Sequence, residues 1–400
     1  MHPIDLASFW PGYDAVACRS SANNSLLIEL EPQAGSVPKC GRCGQLSPLI
    51  HERRIRLVRD RDLFDQRVLL QLPVRRVDCL NCGRVTERID WLEPASRLTR
   101  RLQVWLESLL RLLPISHVSQ LTGLHWHTLK TLDKRRLQAE VGTFYSSGVR
   151  RLVMDEFALH KGHRYATVIM DAERTRVLWV GHGNSREAIR PFFELLGERC
   201  QRIEAVAMDM NTAFDLEVKR HCPQAEVVYD LFHVVAKYGR EVMDRVRVDQ
   251  ANQLRDDKVA RKVIKSSRWI LLRNADNLEP EQAVKLDELL AANAFLTTVY
   301  VLKDQLKTLW FAESETTARS AWREWAGMAL GSGIDALVRF AKKLEPYMEG
   351  IVSSALHRLN TSVLEGMNNR IKVIKRMAYG YRDTDYFFLK IRAAFPGKVR

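Results

Sequence analysis

The sequence predicts a multidomain α/β protein. Two Cys-x-x-Cys pairs stand near the N-terminus, short helical patterns around a glycine follow, and strand and helix patterns alternate from residue 149 onward. The 400 residues suffice for two to four domains, because domains commonly hold ~100–200 residues. We expect an N-terminal domain, a helical domain, the first part of an α/β core, an all-helical insertion, and closing core helices with a basic tail, over residues 1–93, 94–146, 147–235, 236–356 and 357–400.

The chain is strongly basic. It has 62 Lys and Arg against 48 Asp and Glu, a net charge of +14 and a pI of about 9.6. Such an excess indicates a polyanionic partner, most commonly nucleic acid, although charge can also serve solubility alone. No apolar run approaches the ~18 residues that cross a bilayer, so no membrane partner is expected. The first residues lack the pattern of a signal peptide, which favours a cytoplasmic location.

Four of the seven cysteines form two Cys-x-x-Cys pairs, and a glycine follows each pair. Four such thiolates can hold one tetrahedral ion, and metal binding suits a cytoplasmic protein better than disulfides do. A redox pair is the alternative, but no thioredoxin-like pattern surrounds either pair. Strand-like segments at 66–72 and 73–77 separate the pairs, so we predict a zinc ribbon with an extended hairpin. Its structural Zn²⁺ would be held by Cys40, Cys43, Cys79 and Cys82.

Residues 97–137 are helical in pattern. Apolar residues recur at helical spacing up to Pro114, and two short helices then follow around Gly123, over 115–124 and 125–137. Two short helices joined by a glycine turn, with basic and polar residues on the second, are typical of a DNA-binding helix-turn-helix. A generic helical hairpin is the alternative. The candidate DNA contacts on the second helix are His125, His127, Lys130, Lys134, Arg135 and Arg136.

From residue 149 the pattern predicts three antiparallel strands, then a helix, a strand, a helix and a strand. The strands are expected over 149–157, 164–170, 176–181, 203–209 and 226–233, and the helices over 186–199 and 212–221. This is the order of a ribonuclease-H-like core, in which the first and fourth strands are neighbours. The following residues, 236–356, lose the strand pattern. Tryptophans there are expected to pack between helices rather than stack on bases, namely Trp269, Trp310, Trp322 and Trp325.

Two of the predicted strands deliver an aspartate. Asp155 lies on the first strand and Asp209 ends the fourth. A single strand-end Asp is usually a turn or cap residue, but a pair on neighbouring strands predicts two carboxylates side by side. Alternation turns Glu156 to the other face. Asp230 and His233, at the end of the fifth strand, are auxiliary candidates that could orient a water or position DNA, or His233 could be a packed core residue.

A third carboxylate, Glu365, lies in a helical pattern near the C-terminus. Ser362 and Glu365 also fit a capping box, which is the alternative role of this glutamate. Steps of four, three and four place Glu365 on one helix face with Asn369, Lys372 and Arg376. A carboxylate beside cations suits a metal ion with a phosphate next to it. We therefore predict DNA contacts at those last three residues.

Three carboxylates on rigid elements suit phosphodiester chemistry. Mg²⁺ (or Mn²⁺) prefers oxygen ligands, and two such ions roughly 3.5–4 Å apart can activate the nucleophile and stabilise the leaving oxygen. Asp155 is expected to bridge both ions, with Asp209 holding one and Glu365 the other. Since like charges repel, the site without metal should cost stability that Mg²⁺ restores.

Several motifs together resemble those of the DDE transposases of bacterial insertion sequences. They are Met154-Asp155-Glu156, Met208-Asp209-Met210 and Asp230-Leu231-Phe232-His233. The closing run, from Asn360 through Glu365-Gly366 and Asn368-Asn369 to Arg382, is similar to that of the ISL3 family. It departs at Thr361-Ser362, where a glycine is often seen.

The resemblance covers nearly the whole chain. It implies catalytic residues at Asp155, Asp209 and Glu365, cleavage of double-stranded DNA at terminal inverted repeats, joining to target DNA, and a homodimer or larger assembly on paired ends. One alternative is a DNA-binding regulator on an inactive nuclease fold, which would need a missing carboxylate. Another is a nuclease acting on RNA or junctions, which the ribbon and helix-turn-helix argue against.

Overall fold

The structure is a computed structural model that describes residues 6–21, 24–144, 147–160, 162, 164–357, 359 and 362–398, without the side chains of 6, 7, 21 and 362–365. The chain divides into two compact units, Met1–Ala139 and Glu140–Arg400. In the described ranges, no helix combines the length and apolar character needed to cross a membrane.

The first unit opens with a six-stranded sheet. Its order is β1-β2-β5-β6-β3, and β4 pairs with β5 outside this path. The β2–β5 pair is parallel and the other pairs are antiparallel. The segments predicted at 66–72 and 73–77 form one strand, β5, whose hairpin partner is β4. The strands are β1 (Tyr13–Ser21), β2 (Ser25–Pro32), β3 (Lys39–Cys40), β4 (Ile50–Arg59), β5 (Arg67–Cys79) and β6 (Gly83–Arg88).

Pro73 lies in the middle of β5, although proline cannot donate to a sheet ladder. On one side it pairs with Ile55 of β4. On the other side the β2 ladder ends at Gln71 and the β6 ladder starts at Arg76. Pro73 therefore occupies the gap between two partner strands, where the sheet requires no amide donor.

Three helices complete the first unit: α1 (Arg100–Leu112), α2 (Ile115–Thr122) and α3 (Trp126–Val141). Gly123 ends α2 in the left-handed conformation, with φ of 65°. The predicted glycine turn between two short helices is confirmed. The three helices share a core of buried leucines and Val118.

A buried carboxylate, Asp60, joins the sheet to α1. It accepts hydrogen bonds from Thr99 Oγ1 at 2.7 Å and Trp10 Nε1 at 2.9 Å. Arg101 Nε donates to the same carboxylate at 2.7 Å, and Arg101 Nη2 donates to its second oxygen. Burial alone would raise the pKa of Asp60, but these donors outweigh burial and lower its pKa. The ionised carboxylate thus ties the N-terminal turn, the end of β4 and the start of α1 together.

The second unit is built on a five-stranded sheet of order β11-β10-β7-β8-β9. The strands β7, β8 and β9 are antiparallel neighbours, whereas β7, β10 and β11 run parallel. The predicted ribonuclease-H-like order is therefore confirmed, with the first and fourth strands adjacent. The strands are β7 (Arg151–His160), β8 (Arg164–Asp171), β9 (Arg176–His182), β10 (Ala205–Met208) and β11 (Glu226–Tyr229).

Helices cover both faces of this sheet. The face that carries Leu152 and Met154 packs against α4, α5 and the helices that follow β11. The face that carries Val153 and Phe157 packs against α15 and α16. The helices are α4 (Arg186–Leu196), α5 (Thr212–His221), α6 (Leu231–Tyr238), α7 (Asp244–Gln253), α8 (Lys258–Ser266), α9 (Arg268–Leu272), α10 (Pro280–Ala292), α11 (Ala294–Thr308), α12 (Glu315–Gly331), α13 (Asp335–Leu344), α14 (Met348–Val352), α15 (Ser362–Met377) and α16 (Thr384–Ala394).

The described residues between β11 and α15 contain helices and turns and no strand. Trp322 and Trp325 are buried between these helices, as predicted. Trp310 Nε1 donates to the carbonyl oxygen of Tyr229 at 2.9 Å, which fixes the end of β11. Trp269 departs from the prediction, since 67% of it is exposed. The side chain stands against the guanidinium of Arg268 instead of in a core.

Candidate active site and metal centre

Three aspartates stand level on adjacent parallel strands. Asp209 and Asp230 directly follow β10 and β11, whereas Asp155 lies within β7, two residues beyond the last residue that pairs with β10. Ala207 of β10 pairs with Val153 of β7, and Met208 pairs with Tyr229 of β11. Asp155 and Asp209 each lie two residues after the paired Val153 and Ala207, and Asp230 directly follows Tyr229. In parallel sheets this edge is where ligands commonly bind.

Asp155 is buried, with 5% of its surface exposed. Its Oδ1 accepts from the amide of Glu156 at 2.7 Å, and its Oδ2 accepts from Asn368 Nδ2 at 2.5 Å. Burial raises the pKa of Asp155 to about 6, and the charge of Asp209 adds to this rise. The hydrogen bonds from Glu156 and Asn368 work in the opposite direction. The carboxylate is thus held in one orientation in an environment that disfavours its charge.

Asp209 is paired with a histidine. Its Oδ1 accepts from the amide of Met210 at 2.6 Å, and its Oδ2 lies 3.0 Å from His233 Nδ1. Burial would raise the pKa of Asp209, but the hydrogen bond and charge of His233 outweigh burial and lower its pKa. The same hydrogen bond raises the pKa of His233. Each group therefore stabilises the charged form of the other, a carboxylate beside an imidazolium.

Asp230 and His233 belong to a helix start rather than to a strand. The strand predicted to reach residue 233 ends at Tyr229, and Asp230 caps α6 by accepting from the amide of Phe232 at 2.8 Å. His233 then lies in the first turn of α6, with Nε2 3.8 Å from Asp230 Oδ2. The helix turn aims His233 at Asp209, a contact that an extended strand would not give.

The third element of the site is α15. Met367 and Ile371 are buried on the sheet face that carries Asp155. Asn368, between them, reaches Asp155. Glu365 lies in the first turn of α15, but its side chain and that of Ser362 fall outside the described residues. The structure therefore brings Asp155, Asp209, Asp230 and His233 together and does not describe the predicted Glu365 contact or capping box.

Asn368 has no role in the sequence-based prediction. The prediction follows the helix face from Glu365 to Asn369 in a step of four, and Asn369 is exposed. A step of three also stays on one helix face and leads to Asn368. That second step is the signal in the sequence that identifies the asparagine.

The oxygens at this edge suit a hard divalent cation. Each oxygen of Asp155 accepts one hydrogen bond and retains a further lone pair, as does Asp209 Oδ1. The raised pKa of Asp155 shows that its negative charge is poorly compensated by protein groups alone. Oxygen donors of this kind are those that Mg²⁺ and Mn²⁺ take.

Glu156, next to Asp155, points away from this group. Its Oε2 accepts from Asn184 Nδ2 at 2.6 Å, beyond the end of β9. The two neighbouring carboxylates therefore have different partners on the two faces of the strand.

A four-cysteine cluster lies in the first unit. The sulfurs of Cys40, Cys43, Cys79 and Cys82 all lie within 4.8 Å of one another. Those of Cys43 and Cys79 are 3.6 Å apart. Four sulfurs bound to zinc in a tetrahedron are roughly 3.8 Å apart, since each Zn–S bond is about 2.3 Å. The cluster thus fits one structural zinc ion.

The backbone around the cluster favours thiolates. The amide of Cys43 lowers the pKa of Cys40 to about 6, against the effect of burial. Burial, together with the neighbouring thiols, raises the pKa of Cys82 to about 12. Gly44 and Gly83, which follow the two pairs, adopt φ of 78° and 69°, where other residues would be strained. A bound cation would relieve the repulsion among four thiolates in this fixed geometry.

The second helix of the helix-turn-helix, α3, presents an exposed N-terminal end. His125, Trp126 and His127 are exposed there, and Lys130 Nζ lies over the Trp126 ring at 5.3 Å from its centroid. Lys134 is half-buried. The N-terminal end of such a helix is the part that commonly reaches base edges.

The last two predicted contacts on α3 are bound to protein groups. Arg135 Nη1 donates to Glu93 Oε2 at 2.8 Å. Arg136 forms a 2.7 Å ion pair with Asp133, and only 8% of its side chain is exposed. Arg136 therefore offers little surface to DNA. On α15, by contrast, Asn369, Lys372 and Arg376 are all exposed.

Family models match the chain in three segments. One described as a transposase, for the DDE domain of ISL3 elements, matches residues 152–391. One described as the zinc-finger of transposase IS204/IS1001/IS1096/IS1165 matches residues 36–82. One described as the helix-turn-helix domain of transposase family ISL3 matches residues 87–137. The predicted order of zinc ribbon, helix-turn-helix and DDE domain is confirmed.

Curated relatives match over most of their length. The chain is 55% identical over 395 residues to the transposase for insertion sequence element IS1001 of Bordetella parapertussis, covering 98% of this chain and 97% of that protein. It is 24% identical over 383 residues to the transposase for insertion sequence element IS1557 of two Mycobacterium tuberculosis strains, covering 89% of this chain and 85% of those proteins. With the matching DDE domain, these likenesses establish that the chain belongs to the ISL3 family of transposases.

Proposed function

We propose that this transposase cuts and joins DNA at the terminal inverted repeats of its insertion sequence, using a carboxylate triad of Asp155, Asp209 and Glu365. The observation that carries the proposal is the pair Asp155 and Asp209, level on the adjacent parallel strands β7 and β10 and just beyond the residues through which these strands pair. The helix that carries Glu365 packs against the sheet face on which Asp155 lies.

The residues have separate tasks in this proposal. Asp155, held in one orientation by Glu156 and Asn368, would present its oxygens to the cations. Asp209 and Glu365 would complete the set of carboxylates that holds the cations, and His233 would balance the charge of Asp209 in the absence of metal. Mg²⁺, or Mn²⁺, when bound would activate the attacking hydroxyl and stabilise the leaving oxygen. Asp230 keeps His233 in place from the cap of α6.

Cleavage of DNA that carries the element's ends tests the triad. We expect Asp155→Asn to lower Mg²⁺-dependent cleavage by at least 10³-fold, because the amide cannot bridge cations. Glu156→Gln is the matched control, since this neighbouring carboxylate turns to Asn184 and should keep cleavage within about threefold of wild type. Full cleavage by the Asp155 variant would exclude the assignment.

The alternative function is a DNA-binding regulator on an inactive nuclease fold. A regulator would share the basic charge and the helix-turn-helix but would not require a cation at the edge of the sheet. Such a protein would bind element ends equally with and without Mg²⁺ and would leave both strands intact. The cleavage assay therefore separates the two functions.

We propose that DNA recognition begins at the N-terminal end of α3. The exposed His125 and His127, with Lys130 and Lys134, would lie in the major groove, and Arg135 would assist from the helix flank. The exposed Asn369, Lys372 and Arg376 would contact phosphates near the cleavage site. Because such contacts release counterions, affinity should fall steeply with salt. A homodimer or larger assembly in the cytoplasm would hold two ends and the target DNA together.

We also propose one structural zinc in the four-cysteine cluster and the domain limits 1–93, 94–146, 147–235, 236–356 and 357–400. The helix-turn-helix match ends at residue 137 and the first compact unit ends at Ala139. Both positions fall inside the proposed 94–146 segment, at the end of α3. Limited proteolysis that cut between α3 and β7 would support the limit between residues 146 and 147.

A further inference from the structure

Asn368 occupies an unusual position for a polar side chain. Its neighbours Met367 and Ile371 are buried against the sheet, with 2% and 1% exposed. Asn368 lies between them on α15 and donates from Nδ2 to Asp155 Oδ2 at 2.5 Å. These two residues are 213 positions apart in the chain. The contact therefore joins the closing helix to the first strand of the core.

The other end of the same amide is unpaired. Asn368 Oδ1 is buried and has no hydrogen-bond partner among the described residues. Among the described amide side chains, only Gln305 shares this property, and it lies in α11. Buried polar atoms in native proteins are nearly always paired, so an unpaired acceptor calls for a donor that the described part of the chain does not supply.

The orientation of the amide is determined by chemistry. A carboxylate only accepts hydrogen bonds, so Nδ2 must face Asp155 and Oδ1 must face away. Rotating the amide by half a turn would set two oxygens 2.5 Å apart and break the contact. As long as Asp155 is ionised, the unpaired oxygen therefore stays beside the carboxylate and available to a donor.

We propose that Asn368 is a positioning residue of the metal site: its amide holds Asp155, and its Oδ1 accepts a hydrogen bond from a water molecule bound to the cation. The inference rests on the proposed Mg²⁺ site at Asp155. It assigns Asn368 to the outer shell of that site, where partners orient the ligand and the bound water. A purely apolar residue could fill the space but could perform neither task.

Calorimetric titration of the zinc-loaded, full-length protein with Mn²⁺, in the absence of DNA, tests the inference. Asn368→Leu is nearly isosteric but cannot form hydrogen bonds, and we expect it to weaken Mn²⁺ binding about ten- to hundredfold. Asn252→Leu, the same substitution at an exposed position of α7, should bind Mn²⁺ as wild type does. Unchanged affinity in the Asn368→Leu protein would overturn the inference.

A second variant separates positioning from mere packing. Asn368→Asp keeps an oxygen at this place but adds a negative charge beside Asp155. We expect a lower melting temperature than wild type without metal, a larger rise on adding Mn²⁺, and affinity within about threefold of wild type. A packing role predicts equal losses of melting temperature with and without Mn²⁺, and that result would refute the proposal. If the leucine variant does not fold, Asn368→Ser replaces it with the same expected loss.

Asp155→Asn distinguishes failure of the inference from failure of the proposed function. If wild type binds Mn²⁺ at this site, the Asp155 variant should not. If both bind alike, or neither binds, there is no cation site at Asp155, and both proposals are wrong. If only the Asp155 variant loses binding while Asn368→Leu retains it, the function stands and the inference alone is wrong.

Discussion

The protein environment of Asp155 disfavours the negative charge of its carboxylate. Its pKa is raised to about 6 by burial first and by Asp209 second, whereas an unfolded aspartate titrates near 3.9. Between these values the folded protein keeps a proton that the unfolded chain releases. Stability should therefore fall as pH rises from about 4 to about 6 and then level off.

Asp155→Asn removes this penalty. Without Mg²⁺ or Mn²⁺, and with zinc retained, we expect the variant to be about 1–3 kcal/mol more stable than wild type above pH 6. Below pH 4 it should have no advantage, because the wild-type carboxyl is then neutral in both states. Urea unfolding at several pH values measures this difference. A variant less stable than wild type at pH 7.5 would contradict the account.

At the residue scale, the sequence predicts which face of a strand a side chain occupies. It predicts that Asp155 and Glu156 face opposite sides, because side chains alternate along a strand. It does not predict the hydrogen bond to Asn368, since steps of three and four both stay on one face of α15. It also misses the contact of His233 with Asp209, which depends on α6 starting at Leu231. Local pattern cannot tell a strand that ends at Tyr229 from one that continues.

At the element scale, the four-cysteine cluster lies where β5 ends and β6 begins. Cys79 is the last residue of β5 and Cys82 lies in the turn to β6. Cys79→Ser should lower zinc content from about one ion per chain and lower the melting temperature of the first unit, because structural zinc contributes folding energy. Metal analysis together with calorimetry would check this. Cys18→Ser is the control, since that thiol is exposed on β1. A Cys79 variant with full zinc and an unchanged transition would show that no ion is held there.

The two ends of α3 should respond differently to mutation. Lys130→Ala should weaken binding to element ends and reduce the slope of log affinity against log salt by about one, the effect of losing one phosphate contact. Arg136→Ala should act through stability instead, on the order of 3 kcal/mol, because it removes the 2.7 Å ion pair that Arg136 makes with the buried Asp133. Fluorescence anisotropy across a salt series, beside urea unfolding, distinguishes these outcomes. An unchanged salt slope for Lys130→Ala would remove this residue from the interface.

The sequence predicts those helices and strands whose apolar residues recur with a strong period. The helix at 212–221 and the order of the five core strands are confirmed. The strand β4 is missed because six of its ten residues are exposed and only Val58 is buried, so no set of core-facing residues stands out in its sequence. The prediction of two separate strand segments, 66–72 and 73–77, is wrong, because they form the single strand β5. Proline disrupts a sheet only where a neighbouring strand requires its amide as a donor. Whether a neighbour requires the amide of Pro73 depends on the pairing of strands across the sheet, which the local sequence does not reveal.

At the scale of the whole molecule, each buried cluster belongs to one unit. Among the described residues, the sheet and helix cores of the first unit end at Leu132, and those of the second begin at Val149. The four-cysteine cluster and α3 lie in the first unit, whereas Asp155, Asp209 and α15 lie in the second. The proposed DNA recognition and the proposed chemistry therefore belong to parts with separate cores, a division that the sequence already indicates by its motif order.

Separate cores predict separable activities. A fragment of residues 140–400 should unfold cooperatively, because it keeps every described residue of its own core clusters. It should also bind Mn²⁺ as the full chain does, since Asp155, Asp209 and Asn368 all remain. Its preference for element ends over unrelated DNA should be lost, because α3 is absent. Calorimetry and competition binding with both DNAs measure these properties, with the fragment carrying Asp155→Asn as the control for metal. A fragment that still preferred element ends would assign sequence recognition to the second unit, and one that failed to fold would show that the first unit is required for its stability.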